Sequence, residues 1–88
     1  MTSIHGEPVE VWLRNERPAR FVWRGRMFTV LYVRDKRTLP AQQRPDGNGA
    51  AVLIECWLVD ATPVRGLPAT AYELCFDAGL ERWSLSRS

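Results

Sequence analysis

The stretch Arg20-Phe21-Val22-Trp23-Arg24-Gly25-Arg26-Met27-Phe28-Thr29-Val30-Leu31-Tyr32-Val33 decides the fold. β-branched and aromatic residues fill the runs on both sides of a glycine-containing dipeptide, which is the signature of a β-hairpin. A two-residue turn at Arg24-Gly25 sets Trp23 opposite Arg26, Phe21 opposite Phe28 and Ala19 opposite Val30, because turn length fixes register. One face then carries Phe21, Trp23, Phe28, Val30 and Tyr32, which reads as a core face. Arg20, Arg24 and Thr29 fall on the other face.

Outward from this hairpin, period-2 alternation continues in both directions and no segment carries a helical repeat. Val9 to Leu13 reads as a preceding strand, joined to Arg20–Trp23 through a turn at Asn15-Glu16. Ala51 to Asp60 is the longest apolar run. Leu53, Trp57 and Val59 alternate with Val52, Ile54, Cys56 and Leu58, so this strand is central or covered on both faces. Thr62 to Pro68 is a Pro/Gly-containing connection. Thr70 to Asp77 follows, with Tyr72, Leu74 and Phe76 in phase. A turn at Asp77-Ala78-Gly79-Leu80 leads into Arg82-Trp83-Ser84-Leu85. Residues 35–49 hold Leu39-Pro40, Arg44-Pro45 and Asp46-Gly47-Asn48-Gly49, and predict a long surface loop. Residues 1–7 are expected to fray.

Six short strands joined mainly by tight turns predict an all-β fold. The expected form is a six-stranded antiparallel meander curled into a small barrel, which hides strand edges. A flat sheet that dimerises through one face is the alternative, and composition leaves the oligomeric state open. Eighty-eight residues make one domain spanning 1–88.

No apolar stretch approaches the roughly 18–20 residues of a membrane helix, and residues 1–11 lack the apolar core of a signal peptide. A cytoplasmic protein is the expectation. Cys56 and Cys75 are too few for a disulfide framework, and in a reducing compartment they are expected to be free thiols. They face each other if their strands pair about a loop centred near Arg65-Gly66.

Catalysis has little to work with. His5 is the sole histidine and lies in the expected frayed end, so a Ser-His-Asp or Cys-His arrangement has no base. Zinc needs three or four ligands, and two cysteines with one distant histidine give no recognisable spacing. No glycine-rich phosphate loop is present. The reading is a non-enzymatic domain with no cofactor and no catalytic or metal-ligating residue. Glu55 interrupts the most apolar strand; it is either paired inward or solvated at an edge.

The candidate binding residues come from charge and from one aromatic. From Arg14 to Arg44 there are nine Lys/Arg and two acids, a net of +7, while the whole chain is +2. The basic excess is nearly all arginine, which engages phosphates and carboxylates bidentately and stacks on aromatics. Trp23, Trp57 and Trp83 alternate in phase with apolar neighbours and read as core. Trp12 is out of phase with Val9, Val11 and Leu13 and reads as half exposed. Trp12, Arg14, Arg17, Arg20, Arg24 and Arg26 therefore form the candidate binding surface. Its partner is expected to be another protein; weak, non-specific nucleic-acid binding through the Arg-rich hairpin is the alternative.

Pro18 to Val30, Trp57-Leu58-Val59, Tyr72-Glu73-Leu74-Cys75-Phe76-Asp77 and Arg82-Trp83-Ser84-Leu85 together span most of the chain. These blocks resemble a small actinobacterial family of unknown function. The C-terminal blocks are also similar to the tail of the catalytically inactive Y-family polymerase relatives that support mutagenic DNA repair. In both, a Trp strand precedes a Tyr-x-Leu strand, an Asp-containing turn and a Trp-x-Leu strand. The resemblance implies an interaction or assembly role near DNA repair. Family members tend to carry further tryptophans between the third and fourth strands, and Thr38 to Gly49 has none.

Overall fold

The computed structural model describes residues 6–40, 53–64 and 66–87, and their regular structure is all strand. Seven strands follow one another: β1 (Glu7–Pro8), β2 (Glu10–Arg14), β3 (Arg17–Trp23), β4 (Arg26–Pro40), β5 (Leu53–Thr62), β6 (Thr70–Asp77) and β7 (Arg82–Arg87). All pairings are antiparallel, in the order β1-β7-β6-β5-β4-β3-β2. The apolar strand β5 is central, as its two-faced pattern predicts.

Only Val9 separates β1 from β2, yet β1 pairs with β7 and β2 pairs with β3, at opposite edges of the sheet. The Val9 N–H donates to the Trp83 carbonyl at 3.3 Å. One N-terminal run therefore draws both edges together, and the sheet curls into a half-barrel. This is the strand that sequence reading leaves out: Gly6 and Glu7 are placed instead of frayed, and residues 1–5 lie outside the described residues. Glycine is required at position 6, because a Cβ there would lie 2.6 Å from the Leu85 carbonyl oxygen.

The core lies inside the curl. Phe21 and Phe28, opposed as the hairpin register predicts, stack at 4.9 Å, and Tyr72 meets both rings edge-on. Val59, Ala61, Leu74 and Leu85 fill the centre. Trp57 packs on Trp83, and Trp83 on Phe76, toward the other end. Arg24 and Gly25 both take positive φ, 53° and 76°, which is the two-residue hairpin geometry whose twist matches the strands.

Four expectations are corrected. Tyr32 is 68% exposed and outside the core. The β4–β5 ladder skips Leu31 and then Arg34, so β4 bulges twice. Each extra residue shifts the alternation by one, which puts Val33 inward where Tyr32 was expected. Ala19 and Val30 are also unpaired with each other: the β3–β4 ladder ends at Arg20–Thr29, and Val30 pairs with Ala61.

Asp35 to Pro40 is strand, paired with β5 as far as Leu53, where a loop was predicted. The polar run tolerates this because it forms the outer edge of the long hairpin, where charges are solvated and blunt the edge. Lys36 pairs with Glu55 at 3.4 Å, Arg37 with Glu73 at 2.6 Å, and Arg34 with Asp60 at 2.6 Å. Residues 41–49 of the predicted loop lie outside the described residues. Glu55 lies on the same face as Trp57, half-exposed, and is paired there with Lys36.

The expected free thiols are absent. Cys56 and Cys75 are joined in a disulfide with a Cα–Cα distance of 4.0 Å. They occupy directly opposed positions of β5 and β6, which is the register that a loop centred near Arg65-Gly66 demands.

Candidate functional site

The β2–β3 hairpin turns at Asn15 and Glu16, both with positive φ. Its ladder pairs Arg14 with Arg17, Leu13 with Pro18, and Trp12 with Arg20, leaving Ala19 as a bulge. Directly opposed residues share a face, and residues two apart along a regular strand do so as well. Trp12 and Arg14 therefore lie on one face of β2, and Arg20 and Arg17 lie on the same face of β3. In an unbroken strand, positions 17 and 20 would point to opposite sides. The single extra residue at Ala19 is what gathers three arginines around Trp12.

This face points away from the core. Phe21 and Pro18 are buried on the inner side, whereas Arg14, Arg17 and Arg20 are exposed and Trp12 is 44% exposed. The neighbouring row on the outer side holds Glu10, Val22 and Met27. Met27 is itself 44% exposed, so the basic cluster borders an apolar strip. Among the described residues, Arg14, Arg17 and Arg20 form no ion pair.

Arg24 and Arg26 are not part of this cluster. Arg24 sits at the tip of the β3–β4 hairpin, where Nε and Nη2 donate to the two Glu7 carboxylate oxygens at 3.0 and 2.6 Å. Its guanidinium also lies over the Trp23 ring, 4.6 Å from the centroid. The charge of Arg24 is thus matched within the domain. The hydrogen bond from Arg24 holds the Glu7 carboxyl below its ordinary pKa, against a smaller opposing effect of desolvation. The Trp23 indole N–H favours the same carboxylate but is out of solvent without reaching hydrogen-bond geometry. Arg26 and Arg24 both line a cleft of about 540 Å³ with Trp23, Leu67 and Tyr72.

Six residues taken from sequence thus resolve into one face of four and two arginines at a cleft, one of them engaged by Glu7. Sequence reading missed Val22 and Met27 beside Trp12. The signal was present, because both fall out of phase with Phe21 and Phe28. Nothing in the sequence pointed Glu7 at Arg24, since that contact depends on the N-terminal run crossing to β7.

What fold and site define together is a small antiparallel half-barrel with an exposed basic and aromatic hairpin face. Residues 1–88 match a family described as a domain of unknown function, DUF6504, and the chain belongs to that family. Neither the curated proteins nor the solved structures contain a match to it. Among the described residues no helix is long and apolar enough to cross a membrane.

Proposed function

We propose that this domain is a non-catalytic protein-interaction module that docks an acidic segment of a partner protein on the face formed by Trp12, Arg14, Arg17 and Arg20. The observation that carries this reading is the Ala19 bulge, which places around one half-exposed indole three arginines that have no acid partner among the described residues. Arginine grips carboxylates in a planar, bidentate way, and an indole supplies a rigid apolar contact. Val22 and Met27 extend that contact. We extend the proposal to a place in cytoplasmic DNA-repair assemblies of actinobacteria, which is what the resemblance drawn from the C-terminal sequence blocks implies.

A second reading rests on the same indole. Base stacking on an aromatic beside cations also suits single-stranded nucleic acid. Non-specific binding of that kind is weak, about 10⁻⁴–10⁻⁶ M at physiological salt, and falls steeply as salt rises because phosphate contacts release counterions. Fluorescence anisotropy with a labelled peptide of mixed Asp, Glu and Phe, and with labelled single-stranded DNA, separates the two. The interaction reading expects peptide binding that Trp12→Ala and Arg20→Ala each weaken, with a shallower salt dependence than DNA. DNA binding with no peptide binding would replace the first reading by the second. Absence of both at low salt would end both.

A further inference from the structure

The β5–β6 ladder runs through eight successive pairs, from Ile54–Asp77 to Ala61–Thr70, and Cys56–Cys75 is one of them. The ladder on both sides of the pair does not depend on the sulfurs, so reduction is expected to leave two thiols facing each other on a paired sheet.

Both cysteines lie on the outer face. Glu73 precedes Cys75 by two residues and so shares that face, and Arg37 on β4 stands opposite Cys56. The two sulfurs and a Glu73 carboxylate oxygen all lie within 4.8 Å of one another. Cys56, Glu73 and Arg37 line a surface depression of about 310 Å³, which gives an entry path although Cys56 itself is only 3% exposed. Arg37 donates to Glu73 Oε2 at 2.6 Å and fixes the orientation of the carboxylate.

From this juxtaposition we propose that the reduced pair is a soft-cation site, in which the Cys56 and Cys75 thiolates and the Glu73 carboxylate bind Zn²⁺. The disulfide is its metal-free form. Two sulfurs and one oxygen are a donor set zinc accepts, at about 2.3 Å to sulfur and 2.0–2.2 Å to oxygen, with a fourth position for water. Arg37 plays the supporting part that outer hydrogen-bond partners play at metal sites.

The chemistry balances. A thiol reductant gives the disulfide two electrons and becomes a disulfide itself, and two protons complete the Cys56 and Cys75 thiols. Zn²⁺ then displaces those two protons. Two thiolates and one carboxylate carry three negative charges, the cation two positive, and Arg37 offsets the remainder. A peroxide reverses the state: it takes two electrons from the thiolates and two protons from solvent, giving two waters. The sulfur–sulfur bond re-forms and the cation leaves.

The test reduces the full chain with a phosphine, which becomes its oxide with oxygen taken from water. Under anaerobic conditions Co²⁺ is then added as a spectroscopic substitute. The expected result is one equivalent bound, with a thiolate-to-cobalt charge-transfer band in the near ultraviolet, and displacement by Zn²⁺. Oxidised wild-type protein, which carries no substitution, should give no band, and Cys75→Ser should lose it. Glu73→Gln should weaken the affinity by at least about tenfold. Amide NMR spectra of every sample report the fold. A folded, reduced protein without the band overturns the proposal. So does unfolding on reduction, unchanged affinity in Glu73→Gln, or wild-type binding by Cys56→Ser/Cys75→Ser.

Discussion

Arg24 clasps Glu7 across the mouth of the half-barrel, with two hydrogen bonds of 3.0 and 2.6 Å between residues seventeen apart in sequence. The contact ties the tip of the β3–β4 hairpin to the short strand that joins the two sheet edges. Both groups are solvent-exposed, so the pair is screened by salt and its effect on stability is small.

Its pH dependence has a definite sign. The hydrogen bond from Arg24 lowers the Glu7 pKa below the ordinary value of 4.5. A carboxyl depressed in the folded state stabilises above its unfolded pKa, and that contribution is lost as pH falls through the folded value. The clasp is therefore intact at neutral pH and is released only under acid conditions below 4.5. A ¹³C NMR titration of the Glu7 carboxyl should give a depressed midpoint that Arg24→Ala returns toward normal. An ordinary midpoint in the wild-type chain would mean that the clasp does not persist in solution.

The tryptophan pair at the other end of the core governs stability. Trp57 is 4% exposed and packs against Trp83 with ring centroids 5.2 Å apart. Lys36, directly opposite on β4, lies over the Trp57 ring with Nζ 5.1 Å from its centroid. Truncating Trp57 to Ala should cost about 3–5 kcal/mol, a large share of the stability of so small a domain. Urea denaturation is the measurement, and an unchanged midpoint would contradict the packing described above.

Gly6 gives a sharper test of how the half-barrel is drawn together. The cost of Gly6→Ala comes from backbone collision, because the new Cβ would meet the Leu85 carbonyl oxygen and nitrogen at 2.6 and 2.9 Å. The N-terminal run should detach from β7 while the other strands remain paired. Hydrogen exchange should then accelerate at Val9, whose N–H bonds the Trp83 carbonyl. Amides of the β5–β6 ladder should stay protected. Loss of protection across the whole sheet would show instead that closing the edges and folding the sheet are one event.

Where alternation is regular, the sequence was sufficient. Phe21 opposite Phe28, Trp23 opposite Arg26 and Cys56 opposite Cys75 all follow from turn position and a period of two. Where a strand bulges, it was not. Tyr32 left the core because Leu31 is an extra residue, and Arg17 joined Arg20 because Ala19 is another. Neither position carries a glycine or a proline that would mark it. The Asp35–Pro40 strand was hidden for a different reason: its charges find partners on β5 and β6, which only the folded sheet brings alongside. Trp12 was legible through its phase error, whereas the engagement of Arg24 by Glu7 was not, because it depends on long-range closure.

The arrangement of the arginines makes the last prediction discriminating. Arg14 and Arg17 are directly opposed across the β2–β3 hairpin, and like charges in that position destabilise a ladder. Replacing Arg17 by Thr removes the repulsion and adds a good strand residue, so stability should rise by about 0.2–1 kcal/mol. The same substitution removes one of the three cations beside Trp12, so binding of an acidic peptide should weaken. Arg24→Ala should do the reverse. It loses a contact within the domain and lowers the melting temperature slightly, yet leaves peptide binding unchanged because its charge already belongs to Glu7. Thermal melts and peptide titrations on the two variants, at equal ionic strength, form the comparison. Weakened binding by Arg24→Ala with none by Arg17→Thr would move the docking surface from the β2–β3 hairpin to the cleft lined by Arg26.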